Sequence, residues 1–425
     1  MSSKLISFLA TVLLLGTVAI VAFFALRHHW APDLGAVYFG ASAYAADEWQ
    51  SVYAAPLIFF GALIEDPFWL ALAQDQGLSG APLVSFVYPP LIAALFAPLT
   101  EAISASRFIQ IGLAIELACL CAGVLLARAI AGNCLPPAVW VVASLVIGLP
   151  TVTLQNALFH AQPQIVLVAI VLLAFLLYRW GLDATAGMVL AVAGAIKLAP
   201  LFLGIIFLAD RRWRAAVATA IGSIAIALVG IAISGTELQI GFLQQLGRAS
   251  DMHLLSPLGY SRAGILTALW GILSGSPVEI VADKSFGRIA AVPWITAVSY
   301  LLLFVGAVLI LVRTRKLRLP EALPLRLLGI WCILSVLGPL GWAHYALGPV
   351  LMMPAVIGFF SQRRAFLLLV PVVAGLSLPT ALMVVWLAPG ISLGSVAAIM
   401  SLLILPVSFM AGMGPERTGS DEHWH

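Results

Sequence analysis

Charged residues are scarce in this chain: they make up 9% of its 425 residues, whereas apolar residues make up 62%. Soluble globular proteins are about one quarter charged. This deficit excludes water as the main solvent of the chain and predicts a membrane protein. The formal net charge of +3 is too small to indicate nucleic-acid binding.

Cysteine is also rare, and its four positions do not have the spacing of metal ligands. Cys119, Cys121, Cys134 and Cys332 all lie in or beside apolar segments. We therefore interpret them as buried thiols and predict neither a disulfide nor a metal site.

Long apolar runs are what the chain has in excess. A helix needs about 20 apolar residues to cross a bilayer, and runs of that length recur from Leu5 to Met410. They predict an all-α, polytopic transmembrane helical bundle of about 12 spans. The first run, Leu5 to Leu26, is longer than a signal-peptide core and predicts a retained anchor. We expect a single membrane-embedded domain over residues 1–412 and a polar cytoplasmic tail over residues 413–425.

Clusters of Lys and Arg predict the orientation of the spans, because cytoplasmic loops collect basic residues. The strongest clusters are Arg211 to Arg214, Arg313 to Arg318 and Arg363 with Arg364. Arg128 and Arg179 belong on the same side only if two apolar runs enter and leave the membrane by one face. This assignment leaves three long connections, over residues 27–107, 154–163 and 235–290, on the periplasmic side.

Two apolar runs are interrupted, and each can enter and leave the membrane by the same face. Leu91 to Leu99 follows Tyr88-Pro89-Pro90, and nine helical residues cover only about 14 Å. Ala184 to Ala209 is interrupted by Lys197-Leu198-Ala199-Pro200, which predicts either two half-helices or one kinked helix with a snorkelling Lys197. Broken backbone at membrane depth needs protein or a wet cavity around it, so both breaks indicate a periplasmic site.

Polar residues beside these breaks are the candidates for chemistry. Asp33 follows the anchor at the membrane surface, where it acts either as a general base toward a hydroxyl or as a helix cap. A polar stretch that either grips a hydroxyl-rich ligand or is a wet loop contains Gln155, Asn156, His160, Gln162 and Gln164.

Three cationic or titratable residues are candidates for binding a phosphate. Lys197 needs a partner or an aqueous cavity within hydrocarbon, and a lipid phosphate meets that need. Arg262 is a second candidate in the third periplasmic connection. His344 follows the segment Gly338 to Ala343 and is either a structural or a functional histidine.

The order of these short motifs resembles the polyprenol-phosphate-mannose-dependent mannosyltransferases of glycosyltransferase family 87, within the membrane-embedded C superfamily. The family shows an Asp followed by an aromatic pair, then Tyr-Pro-Pro, Lys-x-x-Pro, and an element with Pro, Trp and His. The matching positions are Asp33, Val37-Tyr38, Tyr88-Pro89-Pro90, Lys197 to Pro200, Pro339, Trp342 and His344. The sequence departs from the family at Gly338, Gly341 and Tyr345, and has Leu258-Gly259-Tyr260-Ser261 in its third connection.

The resemblance implies a glycosyltransferase C-type architecture with periplasmic loops, in a bacterial inner membrane. It implies inverting transfer of a mannose-like hexose from a polyprenyl-phosphate donor to a hydroxyl of a lipid or glycan, with no cofactor. Asp33 would be the base, and Lys197, His344 and Arg262 would bind the donor phosphate. The expected substrate-binding residues are Tyr38, Tyr88, Gln155, His160, Gln162, Tyr260 and Trp342.

Two other functions remain open at this point. Broken helices with a midplane Lys are also features of transporters and flippases, although those usually repeat the interruption in both halves. No second Lys-x-x-Pro break occurs between Ala290 and Met410. An O-antigen-type polymerase or ligase would typically rely on arginines and a histidine in its largest loop, whereas the largest loop here is the early one with Asp33.

Overall fold

The fold is described by a computed structural model over residues 3–53, 66–275, 279–281, 286–338, 340–377, 385–388 and 391–412. The predicted tail, 413–425, and Pro339 lie outside these residues. Most of the chain is helical, which confirms an all-α fold. The first eleven α-helices are α1 (Ser3–Leu26), α2 (Pro32–Ala45), α3 (Trp49–Val52), α4 (Pro67–Asp75), α5 (Pro90–Ala102), α6 (Ala105–Ile130), α7 (Pro137–Gly148), α8 (Val152–Phe159), α9 (Gln164–Arg179), α10 (Asp183–Ile196) and α11 (Ile205–Ala209).

The second half is also mainly helical, with a few short strands. Its helices are α12 (Trp213–Ser250), α13 (Arg262–Ser274), α14 (Pro293–Thr314), α15 (Leu319–Leu337), α16 (Leu347–Met352), α17 (Pro354–Phe359), α18 (Gln362–Ser377) and α19 (Leu393–Met410). Two 3-10 helices cover Ala199–Gly204 and Ala343–Ala346. The strands are β1 (Met252–Leu255), β2 (Glu279–Val281), β3 (Phe286–Ala290), β4 (Trp386–Ala388) and β5 (Ile391–Ser392).

Six helices of the described chain, α1, α6, α12, α14, α15 and α19, are long and apolar enough to cross a membrane. A seventh span is possible if α7 and α8, which meet at 85°, form one broken span. Six further apolar helices or helix pairs have 10–17 residues. The structure therefore confirms a polytopic helical protein, and the count of about 12 spans stays a prediction.

The break at Lys197 folds the chain back on itself. Helix α10 ends at Ile196, and Lys197 has extended backbone angles (φ −146°, ψ 134°). A Cβ on Gly194 would lie 2.5 Å from Leu201, and Arg212 pairs with Asp183 at 3.3 Å. These contacts are those of an antiparallel hairpin, which confirms the predicted half-helices and rules out one kinked helix.

Helix α15 is the centre of the main core, because every residue from Ala322 to Leu337 is buried. A helix that is apolar on all sides belongs inside a bundle. Its Arg326 donates to Asp210 at 2.6 Å and to the Thr314 hydroxyl at 2.8 Å. Tyr178 donates to the other oxygen of Asp210, so this network joins four helical segments.

A second core lies between α2, α5 and the segment that leads into α5, with Tyr38, Phe39 and Trp69 at its centre. Helix α5 has 13 residues, about 20 Å, and agrees with the prediction of a segment too short to span. The three-stranded antiparallel sheet, in the order β1-β3-β2, was not predicted and lies in the third connection. The candidate site lies where these parts meet.

Candidate functional site

Asp33 lies in the first turn of α2, directly after Pro32. The residue before that turn, Ala31, is the N-cap, and no side chain caps the helix. The helix-cap interpretation of Asp33 is therefore wrong. The Asp33 side chain remains 23% exposed, so its carboxylate can be reached.

Two residues after α8 meet the carboxylate of Asp33. The Nε2 of Gln162 donates a hydrogen bond to Oδ2, and the Nδ1 of His160 lies 3.5 Å from the same oxygen. Ala161 between them has a positive φ of 43°, which is uncommon for a residue with a Cβ. This turn aims both neighbours at one oxygen and leaves Oδ1 available.

Burial raises the pKa of Asp33 above its ordinary value, because the site withholds water from the charged form. Electrostatic interactions with His160 and Lys197 and the hydrogen bond from Gln162 oppose this rise. The balance favours a carboxylate that is more basic than a solvated aspartate. Such a group is suited to accept a proton from a hydroxyl.

Lys197 lies at the break between the two half-helices, and its ammonium is held from three sides. Its Nζ donates to Oε1 of Gln164 at 3.2 Å. It also lies 4.8 Å from the ring centroid of Tyr345 and 6.0 Å from that of Tyr88. Aromatic faces stabilise a cation without neutralising it, so the charge stays available to an anionic ligand.

His344 is 5% exposed and is fixed by a side chain from α8. Its Nδ1 lies 3.1 Å from Oδ1 of Asn156. An amide oxygen only accepts, so this hydrogen bond requires the tautomer with the proton on Nδ1. The ring lies parallel to Trp342, with centroids 6.4 Å apart, and edge-on to Tyr345 at 4.9 Å.

Tyr260 is brought to this region by pairing between two segments far apart in sequence. The Tyr260 amide donates to the carbonyl of Gly341, and the Ala343 amide donates to Leu258 at 2.8 Å. A Cβ on Gly341 would lie 2.4 Å from the Ser261 nitrogen. Only glycine fits there, which explains this departure from the family element in physical terms.

Tyr38, Gln155 and Arg262 are not brought into contact with the Asp33 cluster in the part of the chain that is described. The Tyr38 hydroxyl donates to the carbonyls of Thr100 at 3.4 Å and Ile103 at 3.2 Å, inside the second core. Gln155 is exposed and donates to Leu149 at 2.9 Å. Arg262 is the first residue of α13, where Ser261 caps the helix.

The structure adds Tyr345 and Glu116 to the residues expected from sequence. Gln164 and Asn156 belong to the polar stretch around His160 and hold Lys197 and His344 in place. Glu116 is an acidic residue within the apolar run of α6, and that alone is a signal for function. Among the described residues, no three His, Cys, Asp or Glu side chains are grouped to hold a metal ion.

Comparison of the sequence with protein-family models shows to which family the chain is related. The model of glycosyltransferase family 87 matches residues 86–339, which is more than half of the chain. The chain belongs to glycosyltransferase family 87. The matched range of this chain contains Tyr88, Gln162, Lys197 and Arg262. Asp33 precedes this range, and His344 follows it.

One curated relative is 28% identical over 206 residues, which is 47% of this chain and 43% of the relative. It is the polyprenol-phosphate-mannose-dependent alpha-(1-2)-phosphatidylinositol pentamannoside mannosyltransferase of Mycolicibacterium smegmatis. The chain thus matches less than half the length of this family relative.

Proposed function

We propose that this protein transfers a sugar from a polyprenyl-phosphate donor to a hydroxyl group of a lipid or glycan acceptor. One observation carries the proposal. Gln162 bonds the Asp33 carboxylate, and Gln164, two residues later, bonds the Lys197 ammonium. A base and a phosphate-binding cation are thereby held at one site, which is what such a transfer requires.

In the proposed reaction, Asp33 accepts the proton of the acceptor hydroxyl. The oxygen then attacks the anomeric carbon from the face opposite the phosphate. The bond between that carbon and the phosphate oxygen breaks, and its electron pair leaves with polyprenyl phosphate. One displacement inverts the anomeric configuration, and Lys197 stabilises the charge that develops on the phosphate.

His344 is the second candidate for the phosphate side. Asn156 holds its Nδ1, and Tyr345 packs against both His344 and Lys197. Nε2 donates to a phosphate oxygen only when the imidazole ring carries both protons. Arg262 stays a prediction for the same role, and Tyr88, Tyr260 and Trp342 are proposed to line the substrate path.

The donor sugar is proposed to be mannose. The support is the name of the Mycolicibacterium smegmatis relative, which specifies polyprenol-phosphate-mannose. The acceptor of this chain is proposed only as a lipid or glycan hydroxyl, since the match covers less than half of that relative.

We place the site on the periplasmic side of a bacterial inner membrane. Helix α9 runs from Gln164 to Arg179 and α10 returns from Asp183 to Ile196, so Lys197 and Arg179 lie at opposite ends of the pair. Arg212, in the basic turn, pairs with Asp183 at the Arg179 end. Basic residues favour the cytoplasm, so the Lys197 end faces outward.

The architecture proposed for the whole chain is that of the glycosyltransferase C superfamily, with a single domain over residues 1–412. About 12 spans would follow if the shorter apolar helices cross as tilted or paired segments. Labelling of single cysteines introduced at Ser106 and Gln162 from outside, and at Ser361 from inside, tests this orientation. Labelling of position 162 only from the cytoplasm contradicts it.

Purified protein supplied with polyprenyl-phosphate-mannose and a lipid acceptor tests the reaction. We expect release of polyprenyl phosphate and a product of inverted anomeric configuration. Asp33→Asn should abolish release while the protein remains folded, because an amide cannot accept the proton. Asp47→Asn is the matched control, since Asp47 is an exposed carboxylate just beyond α2. Turnover retained by Asp33→Asn removes Asp33 as the base.

A further inference from the structure

Glu116 is a buried acidic residue to which the proposed reaction gives no role. It lies in α6, one of the six helices long enough to span, and is 2% exposed. Neither of its carboxyl oxygens has a hydrogen-bond partner among the described residues. Buried polar groups are almost always paired, so an unpaired carboxyl needs an explanation.

Packing places Glu116 beside the Asp33 site. A Cβ on Gly112 would lie 2.5 Å from Cδ1 of Leu34, so this face of α6 packs on the residue after Asp33. Glu116 follows Gly112 by four residues and lies on the same face, about 6 Å further along the helix. It interacts electrostatically with Asp33 and with Tyr88, and no hydrogen bond joins it to either among the described residues.

Tyr88 connects Glu116 to the phosphate side of the site. The ammonium of Lys197 lies 6.0 Å from the Tyr88 ring centroid, and Tyr88 is the shared neighbour of Lys197 and Glu116. Tyr88 therefore lies close to Lys197 and interacts electrostatically with both Asp33 and Glu116. These shared interactions place Glu116 at the edge of the Asp33 and Lys197 site.

The chemistry of Glu116 restricts what it can bind. A phosphate would repel an ionised carboxylate, and a metal ion would need further ligands, yet the described residues hold no group of three suitable side chains. A hydroxyl group both donates and accepts, so it pairs with a carboxyl in either protonation state. A sugar carries several such hydroxyls.

We propose that Glu116 is a sugar-binding residue whose carboxyl group hydrogen-bonds a hydroxyl of the sugar that occupies the space between Asp33 and Lys197. This inference rests on the proposed glycosyltransferase function and names a contact that determines sugar specificity. It also explains the missing partner, because the ligand supplies the hydrogen bond that Glu116 does not make to any described residue.

The test compares Glu116→Gln and Glu116→Leu with Glu101→Gln, which changes an exposed glutamate just before α6. Turnover is measured with donor and acceptor varied in turn. We expect Glu116→Gln to stay within about threefold of wild type, since an amide both donates and accepts. Glu116→Leu should raise the KM of one substrate about tenfold or more, the value for one lost hydrogen bond to a buried group. The substrate affected identifies which sugar is bound.

Thermal unfolding without ligand separates binding from folding. Glu116→Leu should be at least as stable as wild type, because the carboxyl it removes has no hydrogen-bond partner in the described part of the chain. Should Glu116→Leu fail to fold, Glu116→Ala is combined with deoxy-sugar donors and acceptors. One deoxy analogue should lose about tenfold with wild type and lose nothing further with Glu116→Ala, because both changes remove the same hydrogen bond; additive losses would contradict the contact.

Three outcomes overturn the inference. Unchanged KM values in Glu116→Leu, with normal wild-type turnover, remove the contact and leave the proposed reaction standing. A kcat loss in Glu116→Gln at unchanged KM would assign Glu116 to proton transfer instead. If wild-type protein releases no polyprenyl phosphate from any polyprenyl-phosphate sugar, the proposed function fails and this inference fails with it.

Discussion

Gln162 and Gln164 lie on either side of Pro163 and hold groups of opposite charge, the Asp33 carboxylate and the Lys197 ammonium. These two charges come from segments 164 residues apart in the chain. The amides fix both side chains without forming a direct ion pair between them. A direct pair would neutralise the base and the phosphate-binding cation together, so the spacing preserves both functions.

The pH profile of the reaction should report Asp33. Burial raises the pKa of this carboxyl above its ordinary value, so the base form is lost as the pH falls through that raised pKa. We expect kcat/KM to fall tenfold per pH unit on the acid side, with a midpoint above that of a solvated aspartate. Single-turnover rates across pH measure it. A profile that is flat from neutral pH down to the ordinary aspartate pKa would contradict the assignment.

Removal of the Gln162 amide should move that midpoint. The hydrogen bond from Gln162 lowers the pKa of Asp33 against the effect of burial, so Gln162→Leu should shift the acid limb to higher pH. We expect kcat/KM to fall on the acid limb and to keep its wild-type value on the alkaline plateau. Gln155→Leu is the matched control, because Gln155 is exposed and bonds only the Leu149 carbonyl in the described contacts.

The pH dependence of the rate distinguishes loss of the Gln162 hydrogen bond from a folding defect. Gln162→Leu should reach the wild-type rate at high pH, where Asp33 is ionised in both proteins. A uniform loss across all pH values would mean that Gln162 only supports the fold. An equal shift in Gln155→Leu would show that the effect is not specific to Asp33.

Much of the site follows from sequence because intramembrane charges and helix breakers are conspicuous in apolar runs. Lys197 with Pro200 identified the break, and Asp33 with His160 and Gln162 identified the polar side of the site. The local sequence does not reveal where a tyrosine hydroxyl finds its partner. Tyr38 bonds carbonyls at the end of α5 because it packs in the second core, and only tertiary contacts decide this.

Glu116 and the small sheet show two other limits. Glu116 carries a readable signal, an acid in an apolar helix, but its position beside Asp33 depends on the packing of Gly112 on Leu34. The strands β1 and β3 pair across the third connection, and short strands within a largely helical chain have weak patterns. Gly341 departs from the family element, and the reason is a close backbone contact with Ser261 that the local sequence does not reveal.

The hydrogen-bonded network of Arg326 lies at the other end of α10. Its contribution to the stability of the protein can be predicted independently of the reaction. The Arg326 side chain is 6% exposed and bonds Asp210 at 2.6 Å, whereas the Arg212 side chain is 41% exposed and pairs with Asp183 at 3.3 Å. Removing one partner of a buried pair leaves an uncompensated charge and costs about 3–5 kcal/mol. An exposed pair contributes only about 0–1 kcal/mol.

We therefore expect Arg326→Leu to lower the melting temperature in detergent strongly, while Arg212→Leu lowers it little. Both changes remove one positive charge from the same end of the bundle, so net charge and orientation signals are matched. Adding Asp210→Asn to Arg326→Leu should restore part of the lost stability, because the orphaned carboxylate is then uncharged. Equal losses for the two single variants would mean that burial of the pair does not set its contribution.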